Sequence, residues 1–267
     1  MIVKKIYISF LAIVLLPLCE SIWSQVNGVI NFWISPTQFD LSLFQGDQST
    51  QSFIVRNLGK TNLRLRVYAA DWLLTRAGDN KYFEAGKLSR SCATWLTINP
   101  VEFEIPPDST QLVRFTLNVP DNVSGEYWCI IFFESIPIPS KWSPMVKVAG
   151  RLGSYIFVTI PNTEKRQGDI ITLDVKEGSS YEITATFKNS GNVHLRLNCE
   201  IKIKDSLDAI IWSKQINNVF VLPNSERTIG AIADKELEAG KYSAIITIDY
   251  GADEILEGVR NFVYYCK

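Results

Sequence analysis

Residues 57–67 read NLGKTNLRLRV and residues 189–199 read NSGNVHLRLNC. Each opens on Asn-x-Gly, a turn signal, and closes on leucines alternating with a polar or basic residue, so each describes a turn feeding a strand with one buried and one wet face. In this pattern Leu63, Leu65 and Val67 match Leu195, Leu197 and Cys199 as the inward set, while Arg64 and Arg196 point outward. A second pair of stretches keeps the same order, Gly125-Glu-Tyr127-Trp-Cys-Ile-Ile and Gly240-Lys-Tyr242-Ser-Ala-Ile-Ile. Two ordered matches predict a duplicated fold, with an insertion in the first copy centred on the loop 73–94. Tyr127 and Tyr242 are expected at the start of the penultimate strand of each copy, their buried hydroxyls bonded to upstream backbone as tyrosine corners.

Short runs of apolar and polar alternation, broken by Gly, Pro, Asn and Asp, continue along the chain, and no helix-period stretch follows the N-terminal segment. The strands expected in the first half are 38–43, 50–57, 63–72, 95–104, 110–119, 126–134 and 152–160. Those in the second half are 169–175, 181–188, 194–204, 209–215, 226–233, 241–250 and 257–265. About seven short strands per half is the count of an immunoglobulin-like sandwich. The expected fold class is therefore all-β, with two immunoglobulin-like β-sandwich domains in tandem over 25–161 and 169–267. The polar connector PNTEKRQG lies between them, with 162–168 as the linker.

Residues 1–24 read as a signal peptide. Lys4 and Lys5 form the charged end, Ile6 to Leu18 the apolar run, and Ser24 precedes a cut at Gln25. That run is shorter than the roughly 20 residues a spanning helix needs. Leu18 occupies the position where lipid attachment at Cys19 would want a small residue. The expected location is periplasmic or extracytoplasmic.

Hydrophobic residues make up 46% and charged residues 21% of the chain, enough to bury a sizeable core. Lys plus Arg number 27 against 28 acidic residues, which argues against nucleic acid as a partner. There is one histidine, His194, and no HExxH, GxSxG, Walker or GxGxxG pattern. No catalytic residue, metal ligand or small-molecule cofactor is expected, and the chain reads as a binding or assembly protein rather than an enzyme. His194 reads as a half-exposed strand residue. Asp249, Asp253, Glu254 and Glu257 read as a solvated hairpin tip rather than a calcium loop. An oxidising compartment permits pairing of Cys92 with Cys129 and of Cys199 with Cys266, and buried free thiols fit the pattern equally well.

Four tracts carry a resemblance: Ile34-Ser-Pro36 ahead of an early strand, Phe53-Ile-Val-Arg-Asn57, Trp95-Leu-Thr-Ile-Asn-Pro100, and Phe103-Glu-Ile-Pro-Pro107-Asp-Ser-Thr-Gln111-Leu-Val-Arg114. Together they resemble the N-terminal domain of the bacterial periplasmic pilus-assembly chaperones over roughly residues 30–161. The resemblance implies a pair of sandwiches that lends a β-strand to an incomplete protein subunit of the cell envelope or pilus. It places Met145, Val146, Val148 and Leu152 in the client groove, and the preceding loop, Ser135 to Pro144, offers Trp142 as a partner contact. Pilus-serving members also carry a basic pair in the cleft that grips the client's C-terminal carboxylate. Neither Ile34-Ser-Pro-Thr-Gln-Phe-Asp-Leu41 nor Tyr155-Ile-Phe-Val-Thr-Ile-Pro161 supplies a basic residue, so Arg151 is the nearest candidate anchor and the chain reads as a divergent member. A second reading, from another class, is a cell-envelope structural or adhesion module binding wall polymer or a surface protein.

Overall fold

The computed structural model describes residues 31–136, 149–177 and 180–265, so the expected signal peptide and Cys266 lie outside the described residues. In chain order the first ten strands are β1 (Phe32–Ser35), β2 (Gln38–Ser42), β3 (Gln48–Asn57), β4 (Leu63–Leu74), β5 (Asn80–Glu84), β6 (Leu96–Asn99), β7 (Glu102–Ile105), β8 (Thr110–Asn118), β9 (Gly125–Ser135) and β10 (Arg151–Ile160). A sheet ordered β1-β3-β8-β6 faces a second ordered β2-β10-β9-β4-β5, with β7 also paired to β4. Seven strands follow: β11 (Gly168–Glu177), β12 (Tyr181–Asn189), β13 (Leu195–Lys204), β14 (Ile210–Val221), β15 (Glu226–Ala233), β16 (Gly240–Asp249) and β17 (Ile255–Tyr264). They form a three-stranded sheet, β11-β12-β15, and a four-stranded one, β14-β13-β16-β17. The architecture is all-β, two immunoglobulin-like sandwiches, and its one short helical element among the described residues is a 3-10 turn at Ala93–Trp95.

Twice in the first sandwich a proline marks a passage from one sheet to the other. Pro36 separates β1, which pairs antiparallel with β3, from β2, which pairs parallel with β10. Pro100 splits the single strand expected over 95–104 into β6, on β8, and β7, on β4. A proline has no N–H to offer a ladder, so the strand cannot run on unchanged through it. β5 was absent from the expected strands because all five of its residues are exposed, which leaves no apolar alternation to read.

The cores lie between paired sheets. Phe53, Phe115 and Phe133 are fully buried in the first sandwich, and their rings lie 5.1–5.3 Å apart, some edge-on and some tilted. Ile183, Phe187, Ile201, Ile203 and Ile246 fill the second. The predicted inward sets, Leu63, Leu65 and Val67 with Leu195, Leu197 and Cys199, are all buried.

The duplicated Asn-x-Gly is a structural node rather than a simple turn. Asn57 and Asn189 are almost completely buried. The Asn57 amide donates to the carbonyls of Thr61 and Ile105 at 2.8 and 3.0 Å, and its oxygen accepts the Gly59 N–H at 2.9 Å. Asn189 repeats this with Val193, Val221 and Gly191 at 2.9, 3.2 and 2.9 Å. In both sandwiches one side chain therefore satisfies three backbone groups that burial would otherwise orphan.

Tyr127 and Tyr242 stand at equivalent places, two residues into β9 and β16, but only one is a corner. The Tyr242 hydroxyl donates to the Glu238 carbonyl at 2.8 Å. The corresponding carbonyl upstream of Tyr127 belongs to Val123 and already accepts the Gln45 side-chain amide at 2.7 Å. The Tyr127 hydroxyl has no hydrogen bond among the described residues, and its half-buried ring packs 4.6 Å from that of Trp95. The expected corner at Tyr127 is thus corrected: its ring packs on Trp95 with the Arg90 guanidinium over its face.

Two measurements by urea unfolding check this account. Asn57→Ala and Asn189→Ala should each lose about 2–4 kcal/mol, because buried carbonyls lose their donor. Tyr242→Phe should lose about 1 kcal/mol and Tyr127→Phe almost none.

Candidate functional site

β10 is ten residues long, and β2 covers only part of it. On one side Arg151 to Ile160 pair throughout with β9, whereas on the other side β2 pairs with Tyr155 to Thr159 only. The Tyr155 N–H points away from β9 and donates to the Thr37 carbonyl at 3.0 Å. Peptide direction alternates along a strand, so Arg151 and Gly153 also turn their N–H and C=O groups to that outer side. No strand lies there among the described residues. Among the described residues, the outer edge of the first four residues of β10 is therefore unpaired.

Side chains along this edge differ by face. Leu152 and Ser154 share the parity of Ile156 and Val158, which fill the first core. Leu152 is nevertheless 37% exposed, an apolar side chain in line with the core at its open end. Ser154 is buried, and its hydroxyl finds no partner among the described residues. Gly153 faces the opposite side, where a Cβ would come within 2.6 Å of Ile130 Cδ1, so only glycine keeps the strand flat against β9.

On that opposite face Arg151 lies 4.2 Å from the centre of the Phe132 ring and 5.4 Å from that of Tyr82, with one guanidinium nitrogen 3.5 Å from the Tyr68 hydroxyl. The Tyr68 hydroxyl donates to Glu134 at 2.6 Å, and Arg66 donates to the other oxygen of that carboxylate at 2.9 Å. The hydrogen bond from Tyr68 does most to hold the Glu134 carboxyl below its usual range, while burial and then Glu134 push the Tyr68 phenol up. Arg66, Tyr68 and Glu134 were not singled out from the sequence. They come from β4 and β9, and only the register of those two strands brings them together.

Of the residues proposed for client contact, Leu152 and Arg151 are at this edge, while Trp142, Met145, Val146 and Val148 lie outside the described residues.

A second constellation fills the space where the sandwiches meet. Trp72, Trp128 and Phe157 from the first pack with Phe220 and Leu222 from the second. Within it His194 lies 4.9 Å from Phe157 and is stacked 4.7 Å from Phe220, ring centre to ring centre. Its Nδ1 is 2.8 Å from an oxygen of Glu126, whose side chain is 2% exposed. The expectation of a half-exposed strand histidine is corrected: His194 precedes β13 and is mostly buried against the first sandwich, because Glu126 and two aromatic rings enclose it.

The connector is tied down at the same place. Asn192 donates to the Thr163 carbonyl at 2.8 Å and accepts the Lys165 N–H at 2.6 Å, and its own carbonyl accepts the Glu126 N–H at 2.9 Å. Gly125, at a φ of 72°, lets the backbone approach here, since a Cβ would lie 2.7 Å from Asn192 Cγ. At the other end of the contact the Thr228 N–H donates to the Arg76 carbonyl at 2.9 Å, and Arg76 pairs with Glu226. The β10 side chains facing this joint, Tyr155 and Phe157, are aromatic.

Removing one partner of a buried pair leaves the other uncompensated. His194→Ala is expected to lower stability by about 3 kcal/mol, and His194→Gln, which can still donate to Glu126, by clearly less. Thermal and urea unfolding of the two variants check this.

No family model matches the sequence, and no curated protein matches it. Among solved structures, the chain is similar to a chaperone–tip adhesin complex of CFA/I fimbriae biogenesis, with 14% identity, coverage of 86% of this chain and 98% of that one, and a TM-score of 0.49. It is similar to the class 5 fimbriae chaperone CfaA at 15% identity, with coverage of 86% and 99% and a TM-score of 0.48. A third is the CsuC–CsuE chaperone–tip adhesion subunit pre-assembly complex from the archaic chaperone-usher Csu pili of Acinetobacter baumannii, at 16% identity, with coverage of 85% and 97% and a TM-score of 0.46.

Proposed function

We propose that this chain is a chaperone-like assembly factor that binds protein subunits of the cell envelope by β-strand addition along the open edge of β10. The observation that carries the reading is the half-covered strand: five residues of β10 are shielded by β2, and the four before them are not. Unpaired N–H and C=O groups on Arg151 and Gly153 provide a template for an incoming strand, and backbone pairing of this kind provides affinity with little dependence on sequence. Specificity then comes from the alternate side chains. Leu152 points toward the interior face, and Val146 and Val148, each an even number of residues before it, would complete an apolar row for the groove of a client short of one strand. Met145 and Trp142 extend the contact.

Arg151 has the chemistry for a client carboxylate. Its guanidinium is stacked on the Phe132 ring and donates one long bond to the Tyr68 hydroxyl at 3.5 Å, which leaves its remaining donors for a carboxylate. On this reading a client carboxylate would be met by Arg151 at the N-terminal end of β10. The role is one of binding without chemistry, carried out after export by the N-terminal signal peptide.

Leu152→Asp, and Val146→Asp combined with Val148→Asp, should abolish recovery of the partner that the wild-type chain retains from envelope extract, because carboxylates are costly to bury in a client groove. Urea midpoints should stay at the wild-type value. Variants that remain folded and still recover the same partner would defeat strand addition.

A further inference from the structure

The Sγ atoms of Cys92 and Cys129 lie 3.2 Å apart in the first core, and both residues are completely buried. We infer that these two cysteines form an intramolecular disulfide that staples the segment before the 3-10 turn to β9. The inference is independent of how β10 is used.

The backbone already holds the two sulfurs together. β4 pairs with β9 along Ile130 to Ser135, and lower down the segment Arg90 to Cys92 takes the place that β4 vacates. The Trp128 N–H donates to the Arg90 carbonyl at 3.0 Å, and the Cys92 N–H donates to the Trp128 carbonyl at 3.3 Å. Cys92 and Cys129 then turn into the sandwich while Trp128 turns out to the joint with the second sandwich. Bond formation requires the sulfurs to close by about 1 Å, to the usual 2.05 Å. Among the described residues the third cysteine, Cys199, has no such partner: it is buried in the other sandwich, and burial pushes its thiol up to about 12.

The step needs a disulfide-bearing oxidant, such as oxidised glutathione or the exchange-active disulfide of an oxidoreductase. One cysteine thiolate attacks an oxidant sulfur and releases one oxidant thiolate. The second cysteine thiolate attacks the protein sulfur of that mixed disulfide and releases the other. Two protein S–H protons and two electrons pass to the oxidant, which leaves as two thiols. Burial of the Cys129 thiol, together with its contact to Cys92, holds it protonated in the folded chain. With both sulfurs sealed in the core, the exchange takes place before the core closes, so the folded dithiol protein should resist oxidation. The residues are 37 apart in sequence, and the loop so closed contains the 3-10 turn, β6, β7 and β8. Closing that loop in the unfolded chain raises the folding constant by roughly six hundredfold.

The test is to refold the full chain in a glutathione redox buffer, alkylate it in denaturant without reductant, and map the peptides. The expected result is a Cys92–Cys129 linked pair with Cys199 alkylated. Dithiothreitol present during unfolding should lower the wild-type folding constant by roughly six hundredfold, and should leave Cys92→Ala/Cys129→Ala unchanged. Alkylation of both Cys92 and Cys129 after refolding in that buffer, or a linkage of either to Cys199 or Cys266, would overturn the inference. Should the double alanine variant fail to fold, the peptide map of the wild-type chain decides alone.

Discussion

A five-residue strand can shield only about five residues of its neighbour, and most of this protein's character follows from where that strand stops. Pro36 ends β1 on one sheet and releases the chain to the other, where β2 lies parallel to the later half of β10. Near the second sandwich β10 is thereby paired on both sides, and at its other end it is paired on one side only among the described residues. Edge strands are ordinarily guarded by charge, proline, a bulge or a covering segment. At the open end of β10 the guard is a single arginine stacked on Phe132, on the face away from the core. Leu152 and Gly153, between Arg151 and the covered half, are left with one paired side.

The later half of the same strand does the opposite work. Phe157 faces the joint with Trp72, Trp128, Phe220 and His194, and Glu126 at the start of β9 reaches His194. An aromatic contact with a buried His194–Glu126 pair suits a fixed junction, since the carboxylate and the imidazole satisfy each other. The hydrogen bonds of Asn192 to Thr163, Lys165 and Glu126 fasten the connector to both sandwiches. β10 is thus anchored at one end and available at the other.

Much of this fold was legible in the sequence where period-two alternation coincides with a buried face. The inward leucines of the repeat are buried as the pattern requires, because register fixes every second side chain once one is placed. The Asn-x-Gly landmark was legible as a turn, but not as a three-bond node, since the carbonyls of Ile105 and Val221 approach it from distant strands. Three things escaped for the same reason, that they depend on tertiary partners. β5 has no buried face, His194 is defined by Glu126 from the other sandwich, and the Tyr127 ring packs on Trp95. The candidate site was legible only as a segment. The length of β2, which leaves that segment's edge bare, is set by a parallel pairing that no local pattern announces.

The central claim is that the outer edge of Arg151 to Ser154 is vacant until a subunit strand fills it. Amide hydrogen exchange resolved to single residues along β10, with and without a bound subunit, tests this most directly. In the chain alone the Arg151 and Gly153 amides should exchange freely, while Leu152 and Ser154, turned to β9, and Tyr155, bonded to Thr37, stay protected. Addition of the subunit should slow exchange at Arg151 and Gly153 and leave the others as they were. Fast exchange at these two amides in a complex otherwise shown to be saturated would contradict the account.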